Sequence, residues 1–256
     1  GARHVPTYPL PAFMPYTTFM TPSQGKRDPI YVRALLLDDG AGGAHCFVTV
    51  DAVGAEQVLL DTAFDMARAR GFTTCATVDR VTLSASHTHS GPGSISTSSL
   101  FAYVATDLLV PSVQRRFAIH IADALLAAER DMRDATLGVA ERALTGVSHN
   151  RRTHVSRHVN YTYVDPTLSV VRVDAAANGA AIATLWNFAV HSICYDAPNL
   201  KYSADLAGSV NLRVEQATDG GVALYVNGAA GDVNPIFSVS CQGEAPHFSA
   251  ATAIGE

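Results

Sequence analysis

The spacing of apolar and polar positions changes period along this chain, and each period predicts an element. Pro29–Asp38 and Ala44–Asp51 are apolar runs of strand length, separated by Asp39-Gly40-Ala41-Gly42-Gly43, a glycine-rich hairpin signal. From Glu56 to Arg70 the positions Val58, Leu59, Ala63, Met66 and Ala67 fall at helical spacing, and Gly71 supplies a stop. Val81–Ala85 returns to a buried-strand pattern. The strand–helix–strand order predicts an α/β fold with a mixed, largely shared sheet and flanking helices. After the serine-rich Ser94–Ser99, Leu100–Met132 reads as a long helical stretch, broken or bent at Pro111, with its apolar face in the core. Ala135–Val147 reads as a strand leading into the His/Arg-rich segment Ser148–His158. Leu168–Val173 and Ala180–Val190 read as a hairpin around Asp174–Gly179. Ser203 is placed to cap a helix over Ala204–Gln216, with Asp205 near its positive end, and Val222–Val226 is the last clear strand. Ahead of these elements, prolines at positions 6, 9, 11, 15 and 22 predict an extended arm through about Arg27.

Composition narrows the class. At 256 residues, 48% hydrophobic and 16% charged, the chain can bury a sizeable core, and residues 1–256 are expected to form a single α/β catalytic domain. A net charge of -5 and a pI near 6.0, with Arg151-Arg152 as the longest basic cluster, argue against a nucleic-acid partner. No apolar run approaches the ~20 residues that span a bilayer. The start Gly1-Ala2-Arg3 lacks an initiator methionine and a signal peptide, so it reads as processed or trimmed. Four cysteines without Cys-x-x-Cys spacing make a zinc–thiolate site improbable. Cys46, in a strand-like run, is expected as a buried free thiol; Cys75 and Cys241 are open between free and paired, and Cys194 lies just past a histidine-bearing strand.

Chemistry concentrates in Ser86-His87-Thr88-His89-Ser90-Gly91-Pro92-Gly93. Two imidazoles follow a buried strand and precede a turn whose glycines let the backbone approach a ligand. Trp186-Asn187-Phe188-Ala189-Val190-His191 repeats the pattern of an apolar strand ending in histidine. Two strands delivering histidines at one end of a sheet point to a metal, and imidazole nitrogen suits zinc. Asp51, at a strand end before a helix, either orients one of these histidines or caps that helix. A serine hydrolase using Ser90 or Ser94 is the competing enzyme reading, but no Gly-x-Ser-x-Gly elbow is present.

At these residues the chain resembles the neutral (non-lysosomal) ceramidases, zinc amidases that cut the N-acyl bond of ceramide. The resemblance is carried, in order, by Ser86–Gly93, by Asn150-Arg151, and by Asn187–His191 with Tyr202-Ser203-Ala204-Asp205. It ends at Asn227-Gly228-Ala229-Ala230-Gly231-Asp232-Val233-Asn234-Pro235. It implies that His87 and His191 bind Zn2+, that His89 acts in catalysis, and that Arg151 hydrogen-bonds a developing oxyanion. His89 could instead orient the loop, and Arg151 could be a solvated arginine in a basic segment. The family completes its zinc site with a later glutamate and tyrosine, which have no aligned counterpart before Glu256; Glu244 sits in a loop unlike the family's ligand segment. The catalytic domain is therefore expected to be incomplete at its C-terminus, with the remainder absent or associating as a separate portion. The implied substrate is a small or lipid-like N-acyl compound, and the implied location secreted or periplasmic. The departure is Asn234, which stands where the family has serine. An amide cannot act as a nucleophile, so Asn234 is expected to face the cavity in a reaction driven by metal-activated water, or else only to stabilise the turn before Pro235. A ligand-binding domain without turnover is the alternative function.

Overall fold

The computed structural model describes residues 22–152, 163–195 and 199–236. The proline-rich arm up to residue 21, His154, Arg157 and His158, Cys241, Glu244 and the terminal segment 249–256 lie outside the described residues.

Two mixed sheets carry the framework, each containing one parallel pair joined by a helical crossover. In the first, β1 (Val32–Leu37) pairs antiparallel with β2 (His45–Val50), and β3 (Val81–Ala85) lies parallel to β2. The connection from β2 to β3 is α1 (Gln57–Ala69). In the second, the order is β4 (Ala135–Ala143), β6 (Thr167–Ala175), β7 (Ala181–Phe188) and β8 (Val222–Asn227). Here β7 and β8 are parallel, joined through α4 (Asp205–Ala217). A short pair, β5 (Ser148–Asn150) with β9 (Val233–Pro235), forms a third sheet. The fold is thus α/β with mixed sheets and flanking helices, the strands of the described residues divided among three sheets rather than shared by one. The two larger sheets meet where β3 touches β8, and Asn227 N donates to Ser84 Oγ at 3.3 Å.

The β1–β2 hairpin closes as its turn residues dictate. Asp39 Oδ1 accepts from Ala41 N and Gly43 N at 2.8 Å each, and Gly40 and Gly42 take the left-handed backbone that glycine tolerates. Helix α1 buries Leu59, Leu60, Ala63, Phe64 and Ala67, so its inner face turns toward Leu60 and Phe64 and leaves Val58 exposed. That face packs on α3 (Pro111–Arg130), which buries Ala118, Ile121, Ala122, Leu125 and Leu126.

Three expectations are corrected. Leu100–Met132 is broken at Pro111 rather than bent there, and the part before the break is not regular α-helix: the short α2 (Ser99–Phe101) runs into a π turn ending at Thr106, Asp107 takes a φ of 67°, and α3 starts with Pro111 in its first turn. Proline is favoured there because its missing N–H has no helical partner. Only α3 has its apolar face in the core; Leu100, Tyr103 and Leu108 are exposed. Cys46 is not a free thiol, because it forms a disulfide with Cys75, its Cα 6.5 Å away. The parallel crossover brings the loop before β3 beneath β2 and so joins residues 29 apart in sequence. Cys194 is buried. The strand expected over Ala135–Val147 stops at Ala143, and all nine residues of β4 are exposed.

Ser203 does not itself occupy the cap of α4, where Ala204 sits, but its Oγ accepts from Asp205 N at 2.9 Å. Asp205 has a larger role than a charge at the helix start. Its Oδ1 accepts from Cys194 N and Leu206 N and its Oδ2 from Tyr195 N, tying the chain beyond His191 to the start of α4. Burial pushes this carboxyl from 3.8 up to about 6, against the three N–H donors that favour its charge. A folded-state value above the unfolded one stabilises below pH 4, and the contribution is lost as pH rises through about 6. Asp205→Asn should therefore gain stability relative to the parent between pH 4 and pH 7, read as the difference in unfolding temperature. A difference that stays constant across that window would show an ordinary carboxyl.

Candidate metal and catalytic site

The site forms at the C-terminal ends of parallel strands, where α/β sheets expose loop backbone and side chains together. His87 and His89 follow β3, His191 follows β7, and Gly231 to Asn234 follow β8. Arg151 follows β5. The histidine-bearing strands belong to different sheets, yet their exits converge. Ser203 N donates to Ser90 O at 3.0 Å, Thr88 Oγ1 donates to Ser203 O at 2.8 Å, and His89 N donates to Ser192 O at 3.3 Å. These bonds join the first histidine loop to the segments around Ser192 and Ser203. His87 holds a left-handed φ of 58°, an uncommon backbone state for a side chain of this size and one found at functional sites.

Hydrogen bonding sets the tautomers. His87 Nδ1 lies 2.6 Å from Val53 O, and His191 Nδ1 lies 2.5 Å from Ala230 O. A carbonyl oxygen only accepts, so both Nδ1 atoms carry the proton and both Nε2 atoms present lone pairs. Those two Nε2 atoms face each other at 3.0 Å, and His89 Nε2 is 3.3 Å from His87 Nε2. Two nitrogen lone pairs so close repel unless a cation lies between them. Ligand nitrogens held ~2.0–2.1 Å from a tetrahedral ion stand about 3.3 Å apart. One ligand atom from each of the three histidines falls within 4.8 Å of the others. Burial holds the His87 imidazole below its ordinary range, with Arg151 adding to the effect. His191 is pushed down to about 3, by burial first and then by His87 and Arg151. Both rings are neutral at pH 7, the form that ligates. The donor set fits a metal ion of the zinc type.

Arg151 borders this cluster. Its Nη2 donates to Gly231 O at 2.7 Å and to His191 Nε2 at 3.2 Å, and its Nη1 reaches Asn234 Oδ1 at 3.5 Å. Its backbone is fixed by Arg151 N donating to Asp232 O at 2.7 Å, and its neighbour Asn150 donates from Nδ2 to Asp232 Oδ2 at 2.8 Å. The β5–β9 pairing sets Asn234 across from His149. The residues named from the sequence are therefore brought together: His87, His89, His191, Arg151 and Asn234.

Asp51 is not among them, and neither role foreseen for it is the one it fills. It is buried, accepts from Tyr31 N at 2.8 Å and pairs with Arg33 at 3.5 Å, while Glu56 occupies the cap position of α1. The groups that orient the imidazoles are the carbonyls of Val53 and Ala230, and Asp232 positions the Arg151 turn. Every residue carries a carbonyl, so no side-chain pattern marks the first two. Ser90 and Ser94, the serines of the competing reading, are buried, and Ser90 Oγ accepts from Asn199 Nδ2 at 3.2 Å. A cavity of about 810 Å³ lies between α3 and the start of β1, with Phe117, Tyr31 and Pro92 in its wall and none of the three histidines.

Residues 11–253 match the family described as neutral/alkaline non-lysosomal ceramidase, N-terminal. The fold is similar to that of the crystal structure of neutral ceramidase from Pseudomonas aeruginosa, with a TM-score of 0.77 and 21% identity over 99% of this chain and 41% of that one. A ceramidase complexed with C2 gives a TM-score of 0.78 and 20% identity over 99% of this chain and 40% of the other. The chain thus spans about two-fifths of the length of these solved relatives. No curated protein sequence matches it. With the histidine cluster set at the strand ends of this fold, the chain belongs to the neutral/alkaline non-lysosomal ceramidase family.

Proposed function

We propose that this chain is part of a zinc-dependent hydrolase that cleaves the N-acyl amide of a lipid-like substrate, or a related ester. The observation that carries the reading is the pair of Nε2 lone pairs on His87 and His191 facing each other at 3.0 Å. His87 and His191 would hold the ion, and the family resemblance adds a glutamate and a tyrosine from further polypeptide. A bound zinc ion supplies Lewis acidity toward the carbonyl oxygen and lowers the pKa of water.

The remaining roles fall to this chain's own side chains. The planar Arg151 guanidinium, held by Gly231 O, offers N–H donors to the oxygen that becomes negative as the acyl carbon turns tetrahedral. His89, whose Nε2 is 3.3 Å from that of His87, carries a proton to the leaving amine. Asn234 orients Arg151 or the substrate by hydrogen bonding. Its amide cannot attack a carbonyl, so water is the nucleophile and no acyl-enzyme forms. The asparagine also favours a second reading, a ceramidase-like domain that binds its ligand without turning it over.

Metal content measured beside turnover of a fluorogenic N-acyl amide and the matching ester separates these readings. Zinc with chelator-sensitive turnover is the expected result. Zinc without turnover assigns the binding domain, and turnover in metal-free protein overturns the proposal.

A further inference from the structure

The chain leaves β7 at Phe188 and reaches His191 across Ala189 and Val190, which belong to no strand. That short exit decides where the imidazole stands. Gly228 N donates to Phe188 O at 3.3 Å and His191 N donates to Val233 O at 3.0 Å, so the end of β8 and the turn after it hold the exit at both ends. The two backbones approach closely: a Cβ on Gly228 would lie 3.1 Å from Ala189 N and Cα.

One side chain spans the exit. Tyr225, in β8, is fully buried, and its hydroxyl donates to Phe188 O at 2.8 Å and to Val190 O at 3.2 Å, with Asn227 Oδ1 at 2.7 Å. Burial raises the phenol's pKa, so it keeps the proton it donates. Val190 O belongs to the peptide that carries His191 N. A peptide is planar, so holding its oxygen on Tyr225 and its nitrogen on Val233 O fixes the plane from which the imidazole projects. The phenol ring is held in turn. The parallel register sets Trp186 beside Tyr225, their rings stack with centroids 4.2 Å apart, and Trp186 Nε1 donates to Asn211 Oδ1 in α4 at 2.8 Å. The same strand end reaches the other histidine-bearing strand, where Asn227 N donates to Ser84 Oγ, three residues before His87, at 3.3 Å.

We infer that the Tyr225 hydroxyl is a positioning group for the metal site. It sets the Val190–His191 peptide and thereby aims His191 Nε2 at His87 Nε2, 3.0 Å away. It takes no part in the chemistry and acts only through the backbone of a ligand residue. The inference rests on the metal reading above and adds a residue that the histidine pattern does not mark.

Tyr225→Phe deletes the hydroxyl and keeps the stacked ring. Chelator competition on the intact protein is expected to show zinc bound about tenfold more weakly in this variant, the low end of the cost of losing a group that orients a ligand. The visible absorption of the cobalt(II)-substituted protein should shift with it, since those bands follow ligand geometry. Losing a buried hydrogen bond also lowers the unfolding temperature. Ile121→Val, in the buried contact of α3 with α1, is a control with a stability loss of similar size, and it should keep the parent's zinc affinity and cobalt spectrum. Parent-like affinity and spectrum in Tyr225→Phe overturn the positioning role and leave the metal reading in place. Equal weakening in both variants makes the effect one of general stability and overturns it as well. A parent that binds no zinc removes the metal site, and this inference with it.

Discussion

Replacing His191 with alanine is expected to lower zinc affinity by more than about 100-fold, since losing only the group that orients a ligand costs 10–100-fold. His87→Ala should do the same. Each ring has its Nδ1 on a backbone carbonyl, at 2.6 Å for His87 and 2.5 Å for His191, so each contributes one lone pair already aimed at the other. Removing either ring removes half of that pair, and water in its place is a weaker, unoriented donor. Chelator competition measures the affinity, and circular dichroism reports that the fold is kept. His89→Ala distinguishes the third ring: retained zinc with reduced turnover makes it the acid–base group. Unchanged affinity in both the His87 and His191 variants would remove the metal site and the hydrolase reading with it.

Arg151→Ala is expected to reduce kcat/KM by about 10²–10³, the cost of deleting one oxyanion donor, while zinc content stays at the parent level. The loss should fall mainly on kcat, because the donor acts on charge that develops in the transition state. Arg151→Lys should recover little, since an ammonium cannot bond to Gly231 O and reach the reacting oxygen through one planar group. The guanidinium also touches His191 Nε2 at 3.2 Å, which offers a different outcome. If zinc affinity and turnover fall in parallel, Arg151 is a positioning residue for the ligand ring and not an oxyanion donor.

The sequence alone disclosed what is local. Apolar periods marked the strands of the two larger sheets, α1 and α4, but not the short β5 and β9, and the proline at 111 marked the break that starts α3, because side-chain direction repeats every two or 3.6 residues wherever one face is buried. The histidines were legible as residue types at strand ends, and Asn234 as a departure from a family's serine. Tertiary structure alone decided the rest. It divided the strands into separate sheets and carried Cys75 under β2 to meet Cys46. It drew Asp51 toward Arg33 and Tyr31 instead of toward a histidine. It set the carbonyls of Val53 and Ala230 behind the imidazoles, and Asp232 against Asn150 from 82 residues away. Contacts of that kind leave no periodic trace, since a carbonyl belongs to every residue and a distant partner is fixed only once the crossovers have packed.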